Sequence, residues 1–205
     1  MITLSGTTIA LIAATLAYLI GSLSTAIIVC KMIGLGDPRD SGSGNPGATN
    51  VLRMGGKFPA GLTLLGDALK GFLPVVITWL VVKHPPTVAL VALASFLGHL
   101  YPVFFDFRGG KGVATALGAL LGVSGSAGLL ALLTWLACSL TFRVSSLAAL
   151  ITIALVPIFL AITGETVYSV AFIVIGALVF YCHRENMQRI LAGTEPKIGD
   201  KKKPQ

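Results

Sequence analysis

The chain has 205 residues, 55% of them hydrophobic and 11% charged, with a mean hydropathy of +0.88. That balance excludes a soluble globular protein and places the chain among integral membrane proteins. Its net charge of +7 comes without basic repeats or stacked aromatics, so it reads as orientation and attraction to anionic lipid, not as nucleic-acid binding.

A helix needs about 20 residues to cross the hydrocarbon core. The first apolar run, residues 4–30, precedes every lysine and arginine, so it reads as a retained span and not as a cleaved signal. A long polar stretch, 31–57, separates it from a second span at 58–82. That span carries Asp67 and Lys70, and charges three residues apart in an apolar helix are expected to pair structurally. The third span, 87–105, has His99 near its end. This histidine reads more readily as packed and hydrogen-bonded than as catalytic, and Pro102 breaks or kinks the helix.

The run 112–140 would be about 45 Å long as one helix, too long for one untilted crossing. The turn-forming GVSGSAG at 122–128 therefore predicts two short helices. Spans at 144–163 and 166–182 complete an all-α integral membrane protein of about seven transmembrane helices, one pair short. It is expected to form one membrane-embedded domain over residues 1–205, ending in a basic cytoplasmic tail at 197–205. With the N-terminus outside and the C-terminus cytoplasmic, every basic residue except Lys70 and Lys83 falls on the cytoplasmic side. Cys30, Cys138 and Cys182 are isolated and odd in number, which predicts buried or interfacial thiols and neither a disulfide framework nor a zinc site.

Three polar islands lie on that cytoplasmic face. The first, GLGDPRDSGSGNPGATNVLRMGGK at 34–57, combines glycines that allow close backbone approach with the donors Ser41, Ser43, Asn45, Thr49 and Asn50 and the cations Arg53 and Lys57. It reads either as an anion cradle or as a tight turn needing glycine for shape. It is not a Walker A loop, because GxxxxGK[ST] is absent. In the second island, Gly109, Gly110, Lys111 and Gly112 lead into a helix beginning near Val113. A helix N-terminus with a lysine beside it attracts an anion, although lysine there also serves as a topology anchor. The third island, HRENMQRILAG at 183–193, continues the last span. His183, Asn186 and Ile190 share one helical face, Glu185 and Arg189 form an i, i+4 pair, and Gly193 caps the helix. Ser145 and Ser146 open the sixth span, as caps or as substrate contacts.

Two basic glycine loops and a histidine-asparagine helix end on one face point to a site for more than one phosphate beneath an apolar groove. The DxxDG carboxylates of a magnesium-dependent phosphatidyltransferase are absent, since Asp37, Asp40 and Asp106 are scattered. The HxxxxD pair of thioester-dependent glycerolipid acyltransferases is absent too. A transporter of organic phosphates is the alternative reading. Against it, the chain lacks an inverted repeat of interrupted helices, and the islands cluster on one face and not at midplane.

SGSGNPGATNVLR, GHLYPVFFDFRGGKGVATALG and HRENMQRILAGTE resemble, in order, the three signature blocks of the bacterial membrane-bound acyl-phosphate:glycerol-3-phosphate acyltransferase family. Cys182 stands where many members have arginine. The resemblance implies transfer of a fatty acyl group from acyl phosphate to the first hydroxyl of glycerol 3-phosphate, giving lysophosphatidic acid and phosphate. That reaction opens phospholipid synthesis at the bacterial inner membrane, with no cofactor and no metal. A soluble phosphate acyltransferase would supply the acyl phosphate. Ser43, Lys111 and His183 are the expected catalytic residues. Ser41, Gly44, Asn45, Thr49, Asn50, Arg53, Gly109, Gly110, Ser145 and Asn186 are the expected substrate-binding residues.

Overall fold

The computed structural model describes residues 5–199, and every regular element among them is helical. Ten α-helices follow in order: α1 Gly6–Gly21, α2 Thr25–Met32, α3 Ala48–Gly55, α4 Lys57–Val82, α5 Pro85–Leu100, α6 Val113–Val123, α7 Gly125–Phe142, α8 Ser145–Ile162, α9 Ser169–Cys182 and α10 Arg184–Leu191. A 3₁₀ turn, Thr166–Tyr168, leads into α9. The start of the first expected span at Leu4, and Lys201 to Lys203 of the expected basic tail, lie outside the described residues.

Four segments are long and apolar enough to cross a bilayer: Gly6–Met32, Lys57–Val82, Gly125–Phe142 and Ser145–Ile162. Counting α9 and α10 together gives a fifth, bent by 59°, while α5 and α6 are shorter apolar helices.

Three expectations are corrected. The first span is not one helix but breaks between Gly21 and Thr25. The break is tolerated because Lys70 Nζ, from α4, donates to the freed Leu23 carbonyl at 2.8 Å. The third span stops at Leu100 and not near 105, because Tyr101 precedes Pro102 and is pushed out of the helical region, to φ −126° and ψ 66°. The pair expected to be short is unequal, α6 with 11 residues and α7 with 18. Ser124 ends α6 and caps α7 with its side chain, so a single residue makes the turn and the rest of the run stays helical.

Lipid is as apolar as the side chains it meets, so helices in a membrane associate through close packing. Glycine supplies it at two crossings. A side chain at Gly71 would overlap the Thr115 carbonyl, and one at Gly118 the Ala68 carbonyl, pressing α4 against α6 backbone to backbone. Gly21 and Gly98 do the same between α1 and α5. The pairs Ala68 with Gly118, Gly71 with Ala119 and Val75 with Gly122 show that α4 and α6 run in the same direction. Leucine, isoleucine and valine remain exposed on the outer faces, including Leu64, Leu65, Ile77 and Leu80 of α4, as lipid-facing positions require. Phe96, Leu120, Phe172 and Ile175 fill the main core, and a smaller cluster of Ala26, Cys30, Val51 and Ala60 seats α3 on the bundle.

Candidate active site

The first loop is built around a buried amide. Asn50 Oδ1 accepts from the Ser43 backbone N–H, and its Nδ2 donates to the carbonyls of Pro38 and Ser41, each at 2.9 Å. Gly44 sits at φ +70°, a left-handed conformation that glycine adopts without a Cβ penalty. The loop thereby turns Ser41, Ser43 and Gly44 outward, and all three are exposed. Asn45 is half-buried, and Thr49 is exposed in the first turn of α3 with exposed Arg53 one turn later on the same helix. Asn50, expected to bind substrate, commits its side-chain amide to holding this loop.

Arg39 ties the first loop to the second. Its guanidinium lies 2.9 Å from the Asp37 carboxylate and donates to the Phe105 carbonyl at 3.1 Å, with Asp106 at 3.4 Å. In the second loop Gly109 and Gly110 donate their N–H groups to the carbonyls of Leu100 and His99, each at 3.2 Å. Gly109 and Gly110 are expected to bind substrate; their N–H groups are taken up by the end of α5. What glycine provides there is space, since a side chain at Gly109 would overlap the His99 carbonyl and one at Gly110 the His99 ring. The N–H groups available to an anion belong to the first turn of α6, whose N-cap Gly112 offers no side-chain bond.

Lys111, just before that turn, reaches across to α10 and donates to Asn186 Oδ1. Asn186 Nδ2 donates to Glu195 Oε1 at 2.5 Å, and the same oxygen accepts from Ser146 Oγ at 2.6 Å. Ser145 Oγ in turn lies 3.5 Å from Thr49 Oγ1. The N-terminal turns of α3, α6, α8 and α10 are thus joined into one polar cluster, and none of these helices has a side-chain N-cap bond. Unpaired N–H groups at converging N-termini, with Lys111 among them, favour negative charge. Among the described residues no hydrogen bond joins Ser43 or Arg53 to Lys111 or His183. The first loop reaches the cluster through Thr49, while Arg39 joins it to the second loop.

His183 stands at the bend between α9 and α10 and is buried, 3% exposed. Its Nδ1 lies 2.8 Å from the Val179 carbonyl. A carbonyl can only accept, so Nδ1 carries the hydrogen and the neutral ring keeps its lone pair on Nε2. His183 is the N-cap of α10, where the chain bends by 59° from α9.

A sequence profile of glycerol-3-phosphate acyltransferases matches residues 11–193. The glycerol-3-phosphate acyltransferase of Thioalkalivibrio sulfidiphilus is 55% identical over 91% of this chain and 93% of its own length. That of Halorhodospira halophila is 52% identical over 90% and 94%. The chain belongs to the glycerol-3-phosphate acyltransferase family. The crystal structure of the integral membrane acyltransferase PlsY in its glycerol 3-phosphate form superposes with a TM-score of 0.88 at 44% identity, covering 93% of this chain and 96% of that one. Its lysophosphatidic acid form superposes at 0.86 and 43% identity.

Two features of this acyltransferase escaped sequence reasoning. Glu195 was not singled out, yet it holds Ser146, Asn186 and Arg189 together, its Oε2 lying 2.7 Å from Arg189 Nε. Arg189 therefore pairs with Glu195 and not with Glu185, whose nearest cation is Arg184 at 3.8 Å. The cause is the end of α10. Gly193 at φ +67° donates to Ile190, and Thr194 N–H donates to Arg189, forming a Schellman turn. That turn reverses the chain and brings Glu195 back over the helix. An acidic residue two positions beyond a capping glycine was the available signal. Burial pushes the Glu195 carboxyl up, but the bonds from Ser146, Asn186 and Arg189 outweigh it and hold the group below the usual carboxylate range. Burial, then the nearby Arg189 charge, lowers the Lys111 ammonium from its ordinary value, with Glu195 and Glu185 opposing.

Cys30 is buried, whereas Cys138 and Cys182 are half-buried. Cys182 packs against the main core immediately before His183.

Proposed function

We propose that this acyltransferase takes its acyl group from acyl phosphate and transfers it to the first hydroxyl of glycerol 3-phosphate. The observation that carries the reading is the bonded series Lys111, Asn186, Glu195 and Ser146 at four uncapped helix N-termini, beside an exposed serine-glycine loop. Two adjacent anion-holding surfaces suit two phosphate-bearing substrates. Ser41, Ser43, Gly44, Asn45 and Thr49 hold the phosphoryl group of acyl phosphate. Lys111, Arg53, Asn186 and Ser145 hold glycerol 3-phosphate. Acyl phosphate comes from a soluble phosphate acyltransferase. The site faces the cytoplasm in a bacterial inner membrane, and residues 5–199 act as one membrane-embedded domain.

In this reading the hydroxyl oxygen attacks the acyl carbonyl carbon, the anhydride C–O bond breaks, and inorganic phosphate departs with the bonding pair. The hydroxyl proton goes to His183 Nε2 or to an oxygen of the departing phosphate. Because the mixed anhydride is already activated, orientation of the two substrates supplies much of the rate, about 7–11 kcal/mol for well-aligned groups.

Purified protein in lipid vesicles, given palmitoyl phosphate and glycerol 3-phosphate, tests the donor. Lysophosphatidic acid and phosphate released in equal amounts support the reading. Acylation from a thioester but not from acyl phosphate overturns it, as does uptake of glycerol 3-phosphate into the vesicles without product.

A further inference from the structure

Below the site, within the apolar bundle, lies an ionic cluster that the reaction described above does not use. Lys70 Nζ is 2.9 Å from Asp67 Oδ1 on the same helix, and His99 Nδ1, from α5, is 3.6 Å from that oxygen. All three side chains are buried, Asp67 at 4% exposure and the other two at 6%. Burying charge in a membrane protein is costly, and such groups are retained where they do something for the site or fold.

Lys70 and His99 are also tied to neighbouring segments. Lys70 Nζ donates to the Leu23 carbonyl in the α1–α2 break at 2.8 Å, and the Lys70 carbonyl accepts from Ser95 Oγ of α5 at 2.6 Å. The far side of the His99 ring faces the active-site loops. A Cβ on Gly110 would overlap His99 Nε2, and the Pro46 carbonyl of the first loop lies beside the same spot. The His99 carbonyl accepts from Gly110 N–H. Asp67 Oδ1 faces one edge of the imidazole at 3.6 Å, beyond hydrogen-bonding distance, and Nε2 on the other edge forms the floor on which Gly110 rests. Lys111, the next residue, carries the ammonium that bonds Asn186.

We infer that His99 is a positioning residue, backed by the Asp67–Lys70 ion pair, that sets the height of the Gly109–Gly110–Lys111 loop and thereby places the Lys111 ammonium for glycerol 3-phosphate. This rests on the assignment of Lys111 as a substrate contact. The placement is steric and hydrogen-bonded: the ring edge limits how far Gly110 sinks toward the bundle, and the Gly110–His99 backbone bond limits how far it rises. A displacement of about 1 Å at a binding group costs about a hundredfold in rate.

The test uses full-length protein in vesicles, with separate saturation curves for glycerol 3-phosphate and palmitoyl phosphate, normalised to folded protein by size-exclusion chromatography. His99→Ala and Asp67→Asn are expected to raise the KM for glycerol 3-phosphate about tenfold or more, with the KM for palmitoyl phosphate little changed. Gly110→Ala is expected to be severely impaired alone and much less damaging in the His99→Ala background, because the overlapping ring is gone. If His99→Ala does not fold, His99→Gln and Asp67→Asn carry the same comparison. Unchanged KM for glycerol 3-phosphate in folded variants, or a Gly110→Ala penalty equal in both backgrounds, overturns the proposal. Lys111→Ala separates the two readings. Its retaining activity refutes the site assignment and the inference with it, whereas its losing activity while His99 variants keep a normal KM refutes the positioning role alone.

Discussion

Replacing Glu195 with alanine removes the acceptor shared by three donors. Ser146 Oγ at 2.6 Å, Asn186 Nδ2 at 2.5 Å and Arg189 Nε at 2.7 Å all lose their partner. Arg189 is 41% exposed on its side chain and recovers water, so its loss counts for little. Ser146 and Asn186 are buried, 7% and 9% exposed, and remain unsatisfied. Two hydrogen bonds to a charged acceptor, at about 1.5–3 kcal/mol each, put the cost at about 3–6 kcal/mol. Part of that cost appears as lower stability, and part as a freed Asn186 that no longer orients Lys111. The matched measurements are a thermal unfolding midpoint by fluorescence-detected size exclusion and a glycerol 3-phosphate saturation curve. Glu195→Ala is expected to lower the first and raise the KM of the second, with Glu195→Gln intermediate because it keeps one acceptor oxygen but loses the charge. An Ala variant with wild-type midpoint and wild-type KM refutes the clamp.

Other consequences follow from the same geometry. Asn50→Ala leaves the Ser43 N–H and the carbonyls of Pro38 and Ser41 without their shared partner, an expected loss of about 2–3 kcal/mol. Limited proteolysis at residues 38–47, faster than in wild type, is its readout. Gly118→Leu forces α6 off the Ala68 carbonyl of α4. It should abolish accumulation of folded protein in the membrane, whereas leucine at the open Gly61 of α4 should not. The pH profile has two limbs with definite signs. Lys111 binds anions as an ammonium and is held below the ordinary lysine value, so activity falls as pH rises through a point below about 10.4. Lys111→Arg should move that limb upward. Glu195 is held below the usual carboxylate range. Its stabilising bonds are therefore intact above the unfolded value and are lost as pH falls through the lower folded one. Glu195→Gln should flatten the acid limb of the unfolding midpoint.

The membrane class and the helical class were legible because composition and run length act over the whole chain. Where α6 would start was also legible, since glycine and lysine at 109–112 mark an N-terminus by local rules. The break at residues 22–24 was not, because the group that stabilises it, Lys70, lies 47 positions after Leu23 and outside any local pattern. The early end of α5 could have been read more strictly from Pro102, whose restriction on Tyr101 is local. Within the site, Lys111, His183 and Asn186 stood out by residue type and place. Gly109, Gly110 and Asn50 were found by the same reasoning, and their donors bond within the loops, because bonding to one's own backbone and bonding to a ligand demand the same donors. Glu195 lay beyond the span pattern that organised the search, and only the Schellman turn at Gly193 returns it to the cluster.

A structure of this chain with glycerol 3-phosphate bound decides where the acceptor sits. The ligand phosphate is expected within hydrogen-bonding distance of Lys111 Nζ, with Asn186 and the α6 N-terminus beside it and the first hydroxyl directed toward His183 Nε2 and the Ser43 loop. Density for the ligand elsewhere, for instance in the separate hollow lined by Lys31, Gly34 and Asp37, with the Lys111–Asn186 bond undisturbed, would contradict that placement.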